Sequence, residues 1–115
     1  MSLFKRASNS RKLTGVGRIL CASHRDRRTN QMHGHTWEVT AWFTYDGTDQ
    51  SVRLHQLNEA IGHFDHRVLP DHIAWGEALA EFVGNSINRE AERTICVAVD
   101  VSRPLERIYA RWEAA

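Results

Sequence analysis

The 115-residue sequence has few cysteines, little net charge and no long apolar run. Cys21 and Cys96 are too few for a disulfide framework and lack the spacing of a cysteine metal site, so we expect a reducing, cytoplasmic environment. A net charge of +1 argues against a protein that coats nucleic acid or an anionic membrane. No apolar stretch approaches a membrane span, and the first residues lack the apolar core of a secretion signal. We therefore expect no nucleic-acid or membrane partner.

The sequence is rich in histidine instead, with seven in all. Two stand in "MHGHTW" as His33 and His35, separated only by Gly34, and His24 lies upstream in "CASHR". Imidazole is both a common metal ligand and a group that exchanges protons near neutral pH. The spacing of these three residues is therefore the first feature that points to a function.

Hydrophobic periodicity predicts six elements in one domain. Alternating apolar residues indicate strands, and apolar residues three and four positions apart indicate helices. The order strand, strand, helix, helix, strand, strand covers residues 13–24, 35–45, 52–64, 74–87, 93–102 and 105–112. The last stretch also fits a helix. These elements predict an α+β domain over residues 14–115, with a four-stranded antiparallel sheet and both helices on one face. Residues 1–13 form a basic N-terminal segment whose first residues we expect to fray.

The apolar residues of the predicted helices share one face of each helix. In the first helix these are Leu54, Leu57, Ile61 and Phe64. In the second they are Ala78, Leu79, Phe82, Val83 and Ile87. Both helices are therefore amphipathic, and we expect these faces to pack against the sheet.

His33 and His35 project to the same face of a strand, because side chains alternate along it. If the first two strands pair as a hairpin, His24 comes close to both. Three neutral imidazoles gathered in this way match a catalytic zinc site that leaves one coordination position open. The same pattern is also compatible with an ordinary polar strand face.

Asp65 and His66 are adjacent at the predicted end of the first helix. A carboxylate bonded to an imidazole fixes its tautomer and favours proton transfer near neutral pH. The alternative is an aspartate that ends the helix next to an exposed histidine.

The segments "CASHR", "HGHTWEV", "FDHRVL" and "GEALAEFV" together resemble the 6-pyruvoyltetrahydropterin synthase / 6-carboxytetrahydropterin synthase family. The resemblance runs from about Gly17 to Tyr109. It implies the tunnelling fold, with the same strand and helix order. It also implies trimers that stack into hexamers, which is consistent with the open edges of a four-stranded sheet.

The resemblance further implies a zinc ion held by His24, His33 and His35, with Asp65 and His66 serving in proton transfer. The implied substrate is 7,8-dihydroneopterin triphosphate, converted in a lyase reaction that supplies tetrahydrobiopterin or queuosine-type deazapurine synthesis.

Two departures from the family concern the base and the pterin. Thr29 stands where the family usually has a cysteine, and Asp26, His66 or zinc-bound hydroxide are the possible replacements. Val101 stands where relatives anchor the pterin with a glutamate. Asp100 is one residue out of register, a slip that turns it to the other face unless a bulge corrects it. We assign substrate binding to Asp100 and to Glu77, which is retained from a helix-start signature.

Arg25, Arg27 and Arg28 lie in the loop before the histidine pair. They would meet a triphosphate if the loop folded over the metal, and otherwise they form a solvated basic loop.

The sequence thus supports two functions. The first is a zinc-dependent lyase acting on a pterin. The second is a catalytically impaired paralogue that binds zinc and a pterin-like ligand without the standard turnover.

Overall fold

The computed structural model describes residues 10–115. Its strands and helices are β1 (Leu13–Arg25), β2 (Met32–Thr44), α1 (Gln50–Ile61), α2 (Gly76–Ala91), β3 (Cys96–Arg103) and β4 (Ile108–Glu113), with short 3-10 helices at Gly62–Phe64 and Asp71–Ile73. The predicted order and the α+β class are confirmed, and the last element is a strand. Residues 1–9 of the predicted N-terminal segment lie outside the described residues, so the expected fraying stays a prediction. Leu13 already belongs to β1.

The strands form one antiparallel sheet in the order β1-β2-β3-β4. β1 and β2 pair without a break from Leu13 opposite Thr44 to Arg25 opposite Met32. β2 begins before the predicted strand and so includes both histidines of "HGH". Between β2 and β3 the register shifts once, between Trp42 and Phe43.

The hydrophobic core lies between one face of the sheet and the two helices. α1 packs on β1, and α2 packs on β3 and β4. The core residues of β2 alternate as predicted: Trp37, Val39, Ala41 and Phe43. The opposite face of the sheet is mixed, because Glu38, Thr40, Asp100 and Arg111 lie there together with Ile19, Trp42 and Tyr109.

Helix α1 presents a different residue to the core from the one its periodicity indicates. Leu54 is 39% exposed, whereas Arg53 is only 4% exposed. The Arg53 guanidinium lies 4.9 Å from the Phe43 ring centroid and donates to Asp46 at 3.1 Å. Because its charge is paired and its stem covers an aromatic ring, arginine fills a core position that apolar periodicity assigns to leucine.

Helix α2 approaches β4 closely at two glycines. A Cβ at Gly84 would overlap the Trp112 ring, and one at Gly76 would lie 2.8 Å from Ala110 Cβ. These glycines let the helix backbone pack directly on the strand, which fixes the start of α2 beside the end of the sheet that carries the histidines. None of the helices within residues 10–115 is long and apolar enough to cross a membrane.

We expect Gly84→Ala to lower the free energy of unfolding. Because the added Cβ would overlap the Trp112 ring, we expect a cost in the upper part of the about 1–3 kcal/mol range of overpacking. This is more than the roughly 1 kcal/mol that alanine gains over glycine in a helix. Denaturant titration measures the change, with Asn85→Ala on the exposed side of α2 as the matched control. A more stable Gly84→Ala variant would show that the helix and Trp112 are not in tight contact.

Candidate functional site

The end of the β1–β2 hairpin gathers the predicted histidines. His24 pairs directly with His33, and His35 pairs with Ala22. All three histidines have the strand parity of the core residues and therefore project to the helix side of the sheet. His24 is 8% exposed, and its ring centroid lies 4.8 Å from that of His35. His33 stacks on His35 with ring centroids 6.0 Å apart.

Arg103 connects the rings of His24 and His35 by hydrogen bonds. Arg103 Nη1 lies 2.9 Å from His35 Nε2 and 3.3 Å from His24 Nε2. On the far side of each ring, His24 Nδ1 lies 2.6 Å from the Ala74 carbonyl oxygen, and His35 Nδ1 lies 2.6 Å from the Glu106 carboxylate. The result is a continuous polar chain from Ala74 through both imidazoles to Glu106.

These partners fix the tautomer of each ring. A carbonyl or carboxylate oxygen accepts, so each Nδ1 donates, and arginine has no acceptor, so each Nε2 accepts. Burial, and then the positive charge of Arg103, lower the pKa of His35 below its usual 6.5. At neutral pH the contact between His35 and Glu106 is therefore a hydrogen bond from a neutral ring, not an ion pair.

The donor chemistry of His24 and His35 fits a metal ion. Both Nε2 lone pairs point to one position, and both Nδ1 atoms donate to oxygens in the manner that orients metal-bound histidines. His33 adds a third imidazole, stacked on His35. Within residues 10–115, however, no three metal-ligating side chains come close enough to hold a metal ion. The guanidinium of Arg103 stands at the position to which the two lone pairs point.

A cavity of about 590 Å³ lies beside this cluster and contains His35, His66, Glu106 and Cys21 among its lining residues. Cys21 is exposed, whereas Cys96 is buried at the other end of the sheet. Burial raises the pKa of the Cys96 thiol to about 11, so this residue is not a base at neutral pH.

His66 lines the same cavity, and Asp65 directly precedes it. Asp65 accepts from the Cys21 backbone N–H at 2.9 Å and pairs with Arg18 at 3.4 Å. The Cys21 N–H is the main reason that the pKa of Asp65 is lowered. The Asp65 carboxylate lies 3.7 Å from His66 Nε2, which is longer than a hydrogen bond. The His66 side chain is 79% exposed. Asp65 thus anchors the turn to β1 and leaves the His66 imidazole facing solvent.

The two residues assigned to substrate binding lie on different sides of the sheet. Glu77, in the first turn of α2, lines a cavity of about 150 Å³ together with His24 and Arg103. Asp100 pairs with Thr40, and its carboxylate accepts from Trp42 at 2.8 Å and from Arg111 at 3.0 Å. It therefore faces away from the histidines. A bulge next to Asp100 could have moved its side chain to the histidine face, but the register shift lies at the start of β3, between Trp42 and Phe43 of the neighbouring strand.

The loop between β1 and β2 is an exposed turn organised by Asp26. The Asp26 carboxylate accepts from the backbone N–H groups of Arg28 at 2.8 Å and Thr29 at 3.1 Å, and these bonds lower its pKa. A carboxylate engaged in this way is a weak base. The Arg25 guanidinium donates to the Asn30 carbonyl, and Arg27 lies over the Trp75 ring at 4.5 Å.

Sequence analysis did not identify Arg103 and Glu106 as site residues. Arg103 alternates with Val99 and Val101 on the core-facing side of β3. A charged residue at such a position was the one feature of the sequence that could have indicated its role. Its histidine partners lie on the β1–β2 hairpin, and the pairing of β3 with β2, with Ser102 opposite Glu38, is what brings Arg103 next to them. Glu106 lies in the turn after Pro104, where no periodicity applies.

Solved structures similar to this chain are 6-pyruvoyl tetrahydropterin synthases. The Caenorhabditis elegans protein matches with a TM-score of 0.69 and 13% identity, over 92% of this chain and 99% of that chain. The Plasmodium falciparum protein matches with a TM-score of 0.62 and 12% identity, over 92% of this chain and 100% of that chain. The Plasmodium vivax protein matches with a TM-score of 0.57 and 10% identity, over 90% of this chain and 99% of that chain. No family model and no curated protein matches the sequence. At this identity the similarity establishes the fold and confirms the architecture expected from the sequence motifs.

We expect Asp65→Ala to destabilise the protein more than Asp65→Asn, because the amide oxygen of asparagine still accepts from the Cys21 N–H. Since the pKa of Asp65 is below 3.8 in the folded state, the contribution of the carboxylate to stability is present above that pH. It is lost as the pH falls through the lowered pKa. Chemical denaturation should show that the free energies of unfolding of wild type and Asp65→Asn approach each other as the pH is lowered from neutral to acidic.

The control for this comparison is Glu81→Gln on the exposed side of α2, which should follow wild type at every pH. An Asp65→Asn variant equal to wild type at neutral pH would contradict the role assigned to this carboxylate.

Proposed function

We propose that this protein is a zinc-dependent lyase of the 6-pyruvoyl/6-carboxytetrahydropterin synthase type. Its proposed substrate is 7,8-dihydroneopterin triphosphate or a related pterin. The observation that carries the proposal is the convergence of His24 Nε2 and His35 Nε2 on one position, at one end of a sheet with the fold of 6-pyruvoyl tetrahydropterin synthases.

In this proposal His24, His33 and His35 hold the zinc ion. The ion, when bound, supplies Lewis-acid chemistry and acidifies oxygens placed next to it. Ala74 and Glu106 hold the rings of His24 and His35 in the tautomer that leaves Nε2 free to bind. These hydrogen bonds are of the type that orients metal-bound imidazoles.

Proton transfer is assigned to His66 and Asp65, with Asp65 anchoring the turn that carries His66 to β1 through the Cys21 N–H. His66 lines the same cavity as His35 and is open to solvent, so it can exchange protons with water between turnovers. Because Asp26 is committed to the loop turn, His66 is the better candidate for the base that replaces the missing cysteine.

Glu77 is the better supported of the two substrate-binding residues, because it shares a cavity with His24. Its carboxylate suits the amino and ring N–H donors of a pterin. Asp100 stays a prediction for substrate binding, and its carboxylate would have to act from the opposite face of the sheet, where Trp42 and Arg111 already bind it.

The second candidate function is a paralogue that binds zinc and a pterin-like ligand without the standard turnover. The position of the Arg103 guanidinium between the two imidazoles favours it, as does Thr29 in place of the usual cysteine. The two functions share a binding site and differ in whether a substrate bond is broken.

We further propose that the chain self-associates as a trimer or hexamer and acts in the cytoplasm. The backbone N–H and C=O groups of Arg67 and Leu69 cover the end of β1 at Ser23. Among residues 10–115 no strand pairs with the outer edge of β4. An uncovered edge of this kind is suited to pairing with another chain. The two free thiols, Cys21 and Cys96, fit a reducing compartment.

The test of activity uses zinc-loaded protein incubated with 7,8-dihydroneopterin triphosphate. The lyase proposal predicts a new pterin together with free triphosphate or acetaldehyde, detected by chromatography. His24→Ala and His35→Ala should abolish zinc binding and turnover, while His72→Ala, an exposed control, should leave both unchanged. Pterin binding without turnover would support the paralogue instead, and a protein that binds neither zinc nor pterin would overturn both.

The assembly is tested by light scattering of the full chain at micromolar concentration. We expect a molar mass three or six times that of one chain, because the open edge of β4 finds its partner in another copy. A strictly monomeric protein would contradict the proposed association and leave the assignment of the histidines untouched.

A further inference from the structure

We propose that Arg103 is an intramolecular competitor of the metal ion, so that a divalent cation binds only when the guanidinium leaves the two imidazoles. This inference rests on the proposed zinc site and adds a residue that controls its occupancy. It concerns a side chain supplied by the end of β3, outside the set of predicted ligands.

The competition follows from the atoms involved. Arg103 Nη1 is within hydrogen-bond distance of both His35 Nε2 and His24 Nε2. These are the only lone pairs that the two rings have free, because each Nδ1 donates to an oxygen. A zinc ion bound at about 2.0–2.1 Å to the same nitrogens would use those lone pairs. It would also place a second positive charge against the guanidinium, so the two cations exclude each other.

The surroundings favour the docked arginine. The Arg103 guanidinium carbon lies 5.5 Å from the Trp37 ring centroid, within the range of a cation–π contact. Trp37 is itself 2% exposed and meets His24 edge to face. The arginine therefore lies over a buried aromatic ring and is itself the last residue of β3.

A place for the displaced side chain is also present. Arg103 lines a cavity of about 150 Å³ that also contains Glu77. Moving the guanidinium toward this carboxylate would compensate its charge while freeing both Nε2 atoms. The site therefore has two arrangements, one with arginine between the imidazoles and one with a metal ion there.

The expected size of the effect follows from the population of the docked form. Apparent affinity falls by the fraction of molecules in which the site is open. If the guanidinium is docked in about nine of ten molecules, it weakens metal binding about tenfold. Arg103→Met removes both the charge and the hydrogen bonds and should bind zinc about tenfold more tightly than wild type, or better.

The experiment measures zinc affinity by competition with a chromophoric chelator at one fixed pH. Arg107→Met is the matched control, because it removes the same charge from an exposed position in the turn that follows β3. It should leave the affinity at the wild-type value. Arg103→Lys, which keeps a positive charge, should fall between wild type and Arg103→Met. Adding His35→Ala to Arg103→Met should abolish the gain.

A measurement on the wild-type chain keeps the test independent of variant folding. In the zinc-free protein the Arg103 side-chain N–H signals should be protected from exchange with water, and they should lose that protection when zinc is added. Equal zinc affinity in wild type and Arg103→Met would overturn the competition and leave the zinc site standing. Absence of zinc binding in both would overturn this inference together with the metal part of the proposed function.

Discussion

The pairing of β1 with β2 is the constraint on which the rest of the site depends. Because the register is unbroken from Leu13 to Arg25, the alternation that buries Trp37 and Phe43 continues into the histidines. The same face is therefore hydrophobic where the helices cover it and imidazole-rich where they end. A slip of one residue would move His33 and His35 to the opposite face of the sheet and expose the core of β2 together with them.

Much of the fold could be predicted because the signals are local. The alternation in β2 and the apolar stripe of α2 each lie within a single element, and both predictions are confirmed. The exception, Leu54, shows the limit of periodicity. A periodicity pattern treats every arginine as polar. Arg53 is nevertheless buried, because it stacks on Phe43 and pairs with Asp46, and both partners lie outside the helix.

The site could be predicted only in part, because half of it comes from distant segments. The hairpin brings His24, His33 and His35 together in sequence and in space, so short-range spacing was sufficient. Arg103 at the end of β3 and Glu106 in the following turn reach the same place. Their contacts depend on the pairing of β3 with β2, which residue spacing does not predict. The face that Asp100 occupies also depends on the register of β3, since a shift of one residue would move its side chain to the other face.

The contrast between the two cysteines has a practical consequence. Cys96 is enclosed and its thiol resists ionisation, while Cys21 lies open on the wall shared with His35 and His66. A thiol-directed fluorophore or spin label would therefore attach at one place only. The native chain thus carries its own attachment point for an optical or magnetic reporter of events at the histidines, with no engineered residue required.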